Sequence, residues 1–245
     1  MKRLLCRGFP DIYQIGKAFR NGECGSIHNP EFTMLEWYRK GFPLERLMDE
    51  VEALCRLLKP SVPCVRREYR EVFRSALGAD PMELDREALL ALPAARDRLP
   101  DAGDLPTRAD VLDFLMAHLI EPGFEPGVLT FVEGFPADQA AQAQVRADDP
   151  RIAFRFEVYG AGLELGNGYL ELLDPEEYGR RFEAENGKRR ARGKPELPVD
   201  PALLEDLRTG LPACAGVAMG VDRLIQWAMD LGDVGTVLAF PWERA

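Results

Sequence analysis

The run from Glu31 to Tyr38 constrains this chain more than any other stretch. Its alternation reads as a β-strand in which Phe32, Met34, Glu36 and Tyr38 share one face. A carboxylate and a phenol two residues apart on an otherwise apolar face need a polar partner, because a buried carboxylate without one is costly. A bound ammonium group would supply that partner. An internal ion pair, or an edge strand facing water, produces the same pattern. Periodicity alone leaves both readings open.

The elements around this strand set the fold class. Ile12 to Arg20 reads as a second strand, followed by a loop with Gly22, Gly25, Asn29 and Pro30. After Pro43, the residues Leu44, Leu47, Met48, Val51, Leu54, Cys55 and Leu58 recur at helical spacing. Residues 60–130 read as mostly helical, broken by Pro60, Pro63, Pro93, Pro100 and Pro122. Thr130 to Val132, Arg155 to Tyr159 and Leu163 to Leu173 are strand candidates, and Pro175 to Gly193 is a charged helix. Gly216 to Val221 reads as a strand running into a helix from Asp222 to about Leu231. Strands at both ends with helices between them predict an α+β fold, not a doubly wound sheet. The chain has no G-x-G-x-x-G or G-K-[ST] loop, so neither a Rossmann nor a P-loop reading has support.

Charge narrows the function classes. The net charge is −10, and an acidic chain repels nucleic acid unless a local basic patch intervenes. The one basic run, Lys188 to Lys194, reads as a solvated helix end, with an acidic partner or RNA phosphates as the alternative. The five cysteines form no C-x-x-C pair and only His28 and His118 could add imidazole. That argues against a zinc site or disulfide framework and for a cytoplasmic, reducing setting. Cys55 and His118 read as packing residues. No stretch approaches the roughly 20 apolar residues of a membrane span.

Two further constellations carry chemistry. A two-residue loop at Gly160-Ala161 would set Glu157 directly across a hairpin from Glu164. Like charges in that position need a bridge, and Mg²⁺ held by carboxylates is the obvious one. Exposure to water, or neutralisation by Arg155, would serve instead. Beyond the turn, Asn167, Tyr169 and Glu171 alternate onto one face, while Gly166 and Gly168 leave the other bare for close backbone approach. Gly216 to Arg223 is a glycine-rich strand-to-helix join, which in its plain reading leaves Arg223 exposed.

The segments Phe19-Arg20-Asn21-Gly22-Glu23 and His28 to Tyr38 together resemble motif 2 of class II aminoacyl-tRNA synthetases, in the lysyl version. Glu164 to Leu172 resembles the same family's E-x-x-N-G-[aromatic]-x-E-L, and Gly216 to Arg223 resembles its motif 3. The resemblance implies an antiparallel sheet flanked by helices, as a single catalytic domain over residues 1–245 that lacks the motif 1 region. It implies ATP and Mg²⁺. Arg20 would be the catalytic cation at the α-phosphate, with Glu23, His28, Asn29, Phe32 and Arg223 in the ATP site and adenine between Phe32 and Arg223. Glu36, Tyr38 and Glu171 would hold a lysine ε-ammonium, Asn167 its carboxylate, and Tyr169 would wall the pocket. Glu157 and Glu164 would be the metal ligands.

Finer features choose within the family. Ala218 stands where lysyl-tRNA synthetases usually carry glycine. It resembles the branch that joins β-lysine to elongation factor P, as do Glu36 to Arg39 and Phe135 to Ala140. The implied partners are lysine or β-lysine, elongation factor P and, for the longer form, a second copy in a homodimer. A lysyl-tRNA synthetase fragment with tRNA as acceptor, a non-catalytic paralogue and a small-molecule amide ligase are the rival readings. Two departures feed the non-catalytic one. Gly22 stands where the family has an acid, with Glu23 one place later, and Ser26 and Ile27 occupy the stretch where it has an arginine. Fewer cations near the leaving pyrophosphate weaken transition-state stabilisation.

Overall fold

The computed structural model describes residues 1–244. Its main elements are α1 (Lys2–Cys6), β1 (Ile12–Phe19), β2 (Glu31–Lys40), α2 (Leu44–Leu58), β3 (Cys64–Glu68), α3 (Tyr69–Leu77), α4 (Arg86–Leu90) and α5 (Arg108–Leu115). Then follow β4 (Leu129–Glu133), β5 (Arg155–Gly160), β6 (Leu163–Leu170), α6 (Pro175–Ala191), α7 (Pro201–Gly210), β7 (Cys214–Gly220) and α8 (Val221–Ala228). The strands form one sheet in the order β1-β2-β7-β6-β5-β4-β3. Each neighbouring pair is antiparallel except β3 and β4. This is the α+β architecture that the order of strands and helices predicts.

Register decides which residues meet. Glu36, Ala218, Asn167 and Glu157 are successive cross-strand partners from β2 through β7 and β6 to β5. Tyr38, Gly216, Tyr169 and Arg155 form the parallel row two residues away. Side chains opposite one another on a sheet share a face, so both rows present polar groups to the same side. The row between them, Trp37, Val217, Gly168 and Phe156, points the other way. There α2 lays Leu47, Met48, Val51 and Cys55 against it, which is the apolar stripe read from the sequence. A Cβ on Gly168 would lie 2.4 Å from the Phe156 ring, so the bare backbone is what lets that ring pack.

The β5–β6 turn corrects one expectation. The two-residue loop is Ala161-Gly162, not Gly160-Ala161, with φ of 53° and 75°. A hairpin turn of this kind needs positive φ at both central positions, and glycine fits the second more readily than the first. The register then shifts between Val158 and Tyr159. As a result Glu157 opposes Asn167 and Glu164 opposes Tyr159. The two carboxylates are therefore not a directly facing pair.

Three elements escape the sequence reading. Strand β3 lies inside the stretch read as mostly helical. It is short and half exposed, and the free edge of β4 gives it a parallel partner. Helix α7 begins with Asp200 capping Ala202 and with Pro201 in the first turn, a readable start signal. Helix α1 is five residues long, too short for periodicity to reveal. No described helix is long and apolar enough to cross a membrane. The basic run at the end of α6 is tied up within the chain: Arg190 pairs with Glu183 and Glu196, and Arg192 with Asp110. His118 stacks on Phe114 at 4.1 Å.

Candidate active site

The polar face of the sheet opens into a cleft of about 330 Å³. Strand β2 contributes Phe32, Met34, Glu36 and Tyr38, as its alternation predicts, and β7 contributes Gly216 and Ala218. From β6 and the residue after it come Glu164, Asn167, Tyr169 and Glu171. The β1–β2 loop supplies Arg20, Glu23, His28 and Asn29, and α8 supplies Arg223. Of the site residues the resemblance implies, only Glu157 does not line the cleft.

At one end, Arg223 is fixed by its surroundings. The Asp222 carboxylate accepts the Thr33 N–H at 2.6 Å, which pins the start of α8 to β2. The guanidinium then donates to the carbonyls of Ile27 and Glu164, each at 3.0 Å, and to His28 Nε2 at 2.6 Å. Because Arg223 has no acceptor to offer, His28 is the acceptor and its ring is neutral. Burial, and then the Arg223 charge, hold its pKa below the usual histidine value.

Arg20 lies 5.3 Å from the Phe32 ring centroid and 3.4 Å from the Glu23 carboxylate. Gly22 has φ of +83°, a left-handed conformation that glycine adopts without penalty. The acid one residue later then reaches Arg20, which accounts for the displaced Glu23. Asn29 acts as a brace: its amide donates to the Glu31 carbonyl at 2.6 Å, and its oxygen accepts from the Trp242 N–H at 2.9 Å.

The other end is acidic, with Glu171 and Lys2 buried and Glu36 and Tyr38 half-buried. Glu171 follows β6 and is held by the bond from its N–H to the Cys214 carbonyl at 3.0 Å. Burial, then the charges of Glu171 and Glu36, raise the Tyr38 phenol far above its ordinary pKa. Gly216 sits beneath both: a Cβ there would lie 2.5 Å from Glu171 Oε1 and from Tyr38 Cε1. A residue absent from the sequence expectations completes this end. Lys2 Nζ is 2.6 Å from Glu171 Oε2, donates to Gln142 Oε1 at 2.5 Å and lies 5.4 Å from the Tyr178 ring centroid. Glu171 Oε2 is fully buried and has no well-aligned hydrogen-bond donor, so the Lys2 contact is an ion contact that leaves hydrogen-bonding capacity open.

Between the ends lies a carboxylate cluster. Glu157 is buried and engaged by Arg155 and by the Tyr159 hydroxyl. Glu164 faces the cleft, with Arg223 3.6 Å away. Glu121, which the sequence reading passed over, stands beside them. Burial and then the charge of Glu157 push Glu121 up to about 7, and the same causes raise Glu164 above the usual carboxylate value. Arg155 and Arg223 offset part of this repulsion. No described group of three or more His, Cys, Asp or Glu side chains forms a metal cage. A divalent cation here would rest on one or two carboxylates and on phosphate oxygens, which is how Mg²⁺ is usually held.

The sequence of residues 1–244 matches the model of the family described as tRNA synthetases class II (D, K and N). This chain belongs to that family. Similar relatives include three proteins named elongation factor P–(R)-β-lysine ligase. The one from Vibrio cholerae serotype O1 is 46% identical over 245 residues, covering all of this chain and 76% of that protein. Those from Salmonella gallinarum and Enterobacter sp. are 43% and 44% identical, each covering all of this chain and 75% of the relative. The class II assignment accounts for the antiparallel sheet and for a cleft built on its polar face.

Proposed function

We propose that this class II chain activates a lysine-type amino acid, β-lysine above all, with ATP and transfers it to a lysine of elongation factor P. One observation carries the reading. A single cleft has an arginine- and phenylalanine-lined end at Phe32, Arg20 and Arg223, and an acidic end where buried Glu171 stands beside half-buried Glu36 and Tyr38. The first suits a purine and its phosphates. The second suits a terminal ammonium and rejects neutral side chains, which would leave its polar groups unpaired. The names of the relatives supply the β isomer and the acceptor.

In the activation step, a carboxylate oxygen of the amino acid attacks the α-phosphorus of ATP. The bond from that phosphorus to the bridging oxygen of pyrophosphate breaks, and an aminoacyl-adenylate remains. In the second step the acceptor amine attacks the adenylate carbonyl, AMP leaves, and the amine loses a proton as the amide forms. The nucleophile of the first step is already ionised, so the chain's work is positioning and charge stabilisation. In this proposal Arg20 moves from the Phe32 ring to the α-phosphate when adenine takes its place. Arg223 covers the other face of adenine, with neutral His28 holding the guanidinium in place. Asn167 takes the substrate carboxylate and Tyr169 walls the pocket. Glu23 orients Arg20, and Asn29 braces the loop. Glu164, with Glu157 behind it, would hold Mg²⁺, which supplies neutralisation of phosphate charge.

Ala218 lies between Glu36 and Asn167 on the pocket floor, where a methyl group bears on the position of the substrate's amino group. The proposal extends to a homodimer: Tyr13, Ile15 and Phe19 form an exposed apolar face on edge strand β1, which a second copy would cover. The test is amino-acid-dependent ATP–pyrophosphate exchange with lysine and β-lysine, followed by transfer to purified elongation factor P. Exchange with β-lysine and transfer to the protein are expected. Transfer to tRNA instead would replace the proposed acceptor, and no exchange with either isomer would overturn the reading.

A further inference from the structure

The acidic end of the cleft contains a cation of the chain's own, and its placement is built into the fold. Helix α1 is clamped to α7: Arg3 Nε donates to Asp206 at 2.7 Å and the Arg7 guanidinium to the same carboxylate at 3.1 Å. Between these arginines Leu5 is buried with Leu172, Tyr178, Leu207 and Leu211. One residue before Arg3, the Lys2 side chain runs inward, with 9% of its surface exposed against 2% for the Glu171 side chain. Gln142 and Tyr178 hold the ammonium from behind. A long, mobile side chain ordered this thoroughly costs entropy, which its contacts must offset.

Its consequence is a matter of charge. Glu36 and Glu171 bring two negative charges to this end and Lys2 brings one positive, so one ammonium completes neutrality. A buried carboxylate with no cation takes up a proton, and a protonated Glu171 no longer attracts a substrate ammonium as an ion. Resting on the reading that this end receives a lysine-type ammonium, we propose that Lys2 is a specificity-determining positioning residue. It holds Glu171 ionised and oriented before substrate arrives, so that the pocket presents one uncompensated negative charge to a single terminal ammonium.

The groups that face Glu171 are Lys2 from α1, Glu36 and Tyr38 from β2, Tyr169 from β6, Tyr178 from α6 and Cys214 from β7. Lys2 is the cation among them. Burial raises the Glu171 pKa, Lys2 pulls it back and Glu36 pushes it up again, so the net direction is still upward. Burial works against the Lys2 charge, and Glu171 and Tyr178 outweigh it, which leaves Lys2 above its usual value.

The experiment measures KM and kcat for lysine in ATP–pyrophosphate exchange, from slightly acid to moderately alkaline pH, for the wild-type chain, K2M and K2R. Loss of the cation in K2M is expected to raise the lysine KM about tenfold near neutrality with kcat little changed. The defect shrinks as pH rises, because alkali removes the proton from Glu171. K2R keeps the charge and stays within about threefold of wild type. A ¹³C titration of the Glu171 carboxyl in substrate-free protein is expected to show a higher midpoint in K2M than in wild type, whether or not the variant turns over. An unmoved midpoint, a pH-independent KM defect, or a lower KM in K2M (the mark of a lysine that merely competes with substrate) overturns the role given to Lys2. No amino-acid-dependent exchange in the wild-type chain overturns the lysine reading itself, and this role falls with it.

Discussion

The two ends of the cleft are built on opposite principles. At the end proposed for the nucleotide the side chains stand partly in water: that of Arg20 is 55% exposed and that of Glu23 41%. Their partners are loose enough to be exchanged for a ligand. At the end proposed for the ammonium Lys2 and Glu171 are buried and Tyr38 half-buried, and Gly216 leaves room for Glu171 and Tyr38 side by side. ATP offers many polar groups, so adjustable side chains on a loop suffice to gather it. A terminal ammonium offers a single charge, and selecting it from neutral analogues needs carboxylates fixed and desolvated beforehand. Arg223 is the exception at the nucleotide end, because two backbone carbonyls and His28 hold it still.

Substitutions at the two ends separate these roles. The largest effect is expected from Gly216→Val, whose Cβ would fall 2.5 Å from Glu171 Oε1 and Tyr38 Cε1. Lysine-dependent exchange is expected to drop by roughly two orders of magnitude, while ATP affinity measured by calorimetry holds. Equal loss of ATP binding would break the claim that the ends are independent.

Glu171→Gln keeps the shape and removes the charge, and is expected to raise the lysine KM by about thirtyfold, on the order of 2 kcal/mol, again sparing ATP. Arg223→Lys loses the fork that reaches Ile27, Glu164 and His28. It is expected to raise the ATP KM about tenfold with a smaller effect on lysine. An equal effect on both substrates would show that Arg223 serves the whole cleft.

Ala218→Gly tests the floor between the ends and is expected to shift the β-lysine to lysine preference about threefold toward lysine, read from kcat/KM. An unchanged ratio would remove Ala218 from the selection.

The smallest effect concerns pH. Because the His28 pKa is depressed in the fold, the native state binds fewer protons than the unfolded chain once pH falls below the usual histidine value near ~6.5. Stability therefore falls as acid is added through that window and is restored above it. His28→Asn, which keeps an acceptor and cannot titrate, is expected to flatten this part of a Tm–pH curve by a degree or two. An identical slope would show that Arg223 holds its position without neutral His28.

Much of this architecture was legible locally. The alternation in β2 set Phe32, Glu36 and Tyr38 on one face, and the spacing after Pro43 gave the face of α2 that packs beneath the sheet. The motif resemblance then drew together residues that local patterns could not relate, since Glu36 and Asn167 meet only because each pairs with Ala218. The hairpin turn falls one residue later than its sequence placement, and together with the irregularity between Val158 and Tyr159 this moves the partner of Glu157 from Glu164 to Asn167. Loop length alone does not say which glycine takes the second turn position, and a single-residue shift changes every cross-strand partner. Strand β3 was missed because half-exposed parallel edge strands carry little periodicity. Asn29 lines the cleft with the other residues of the expected ATP site, its side chain held by the Glu31 carbonyl and the Trp242 N–H.

The sequence by itself determined the fold class, the polar face of β2, the glycine-relieved packing of β6 and the family. These depend on period, spacing and short motifs, which are local. Only the tertiary structure decided that Lys2 reaches Glu171 across 169 positions, that Arg223 and His28 share a hydrogen bond, and that Glu157 is turned toward Arg155 and Tyr159. No local pattern marks such contacts, because each depends on where two distant segments dock, and docking is set by the shape and charge of the assembled whole.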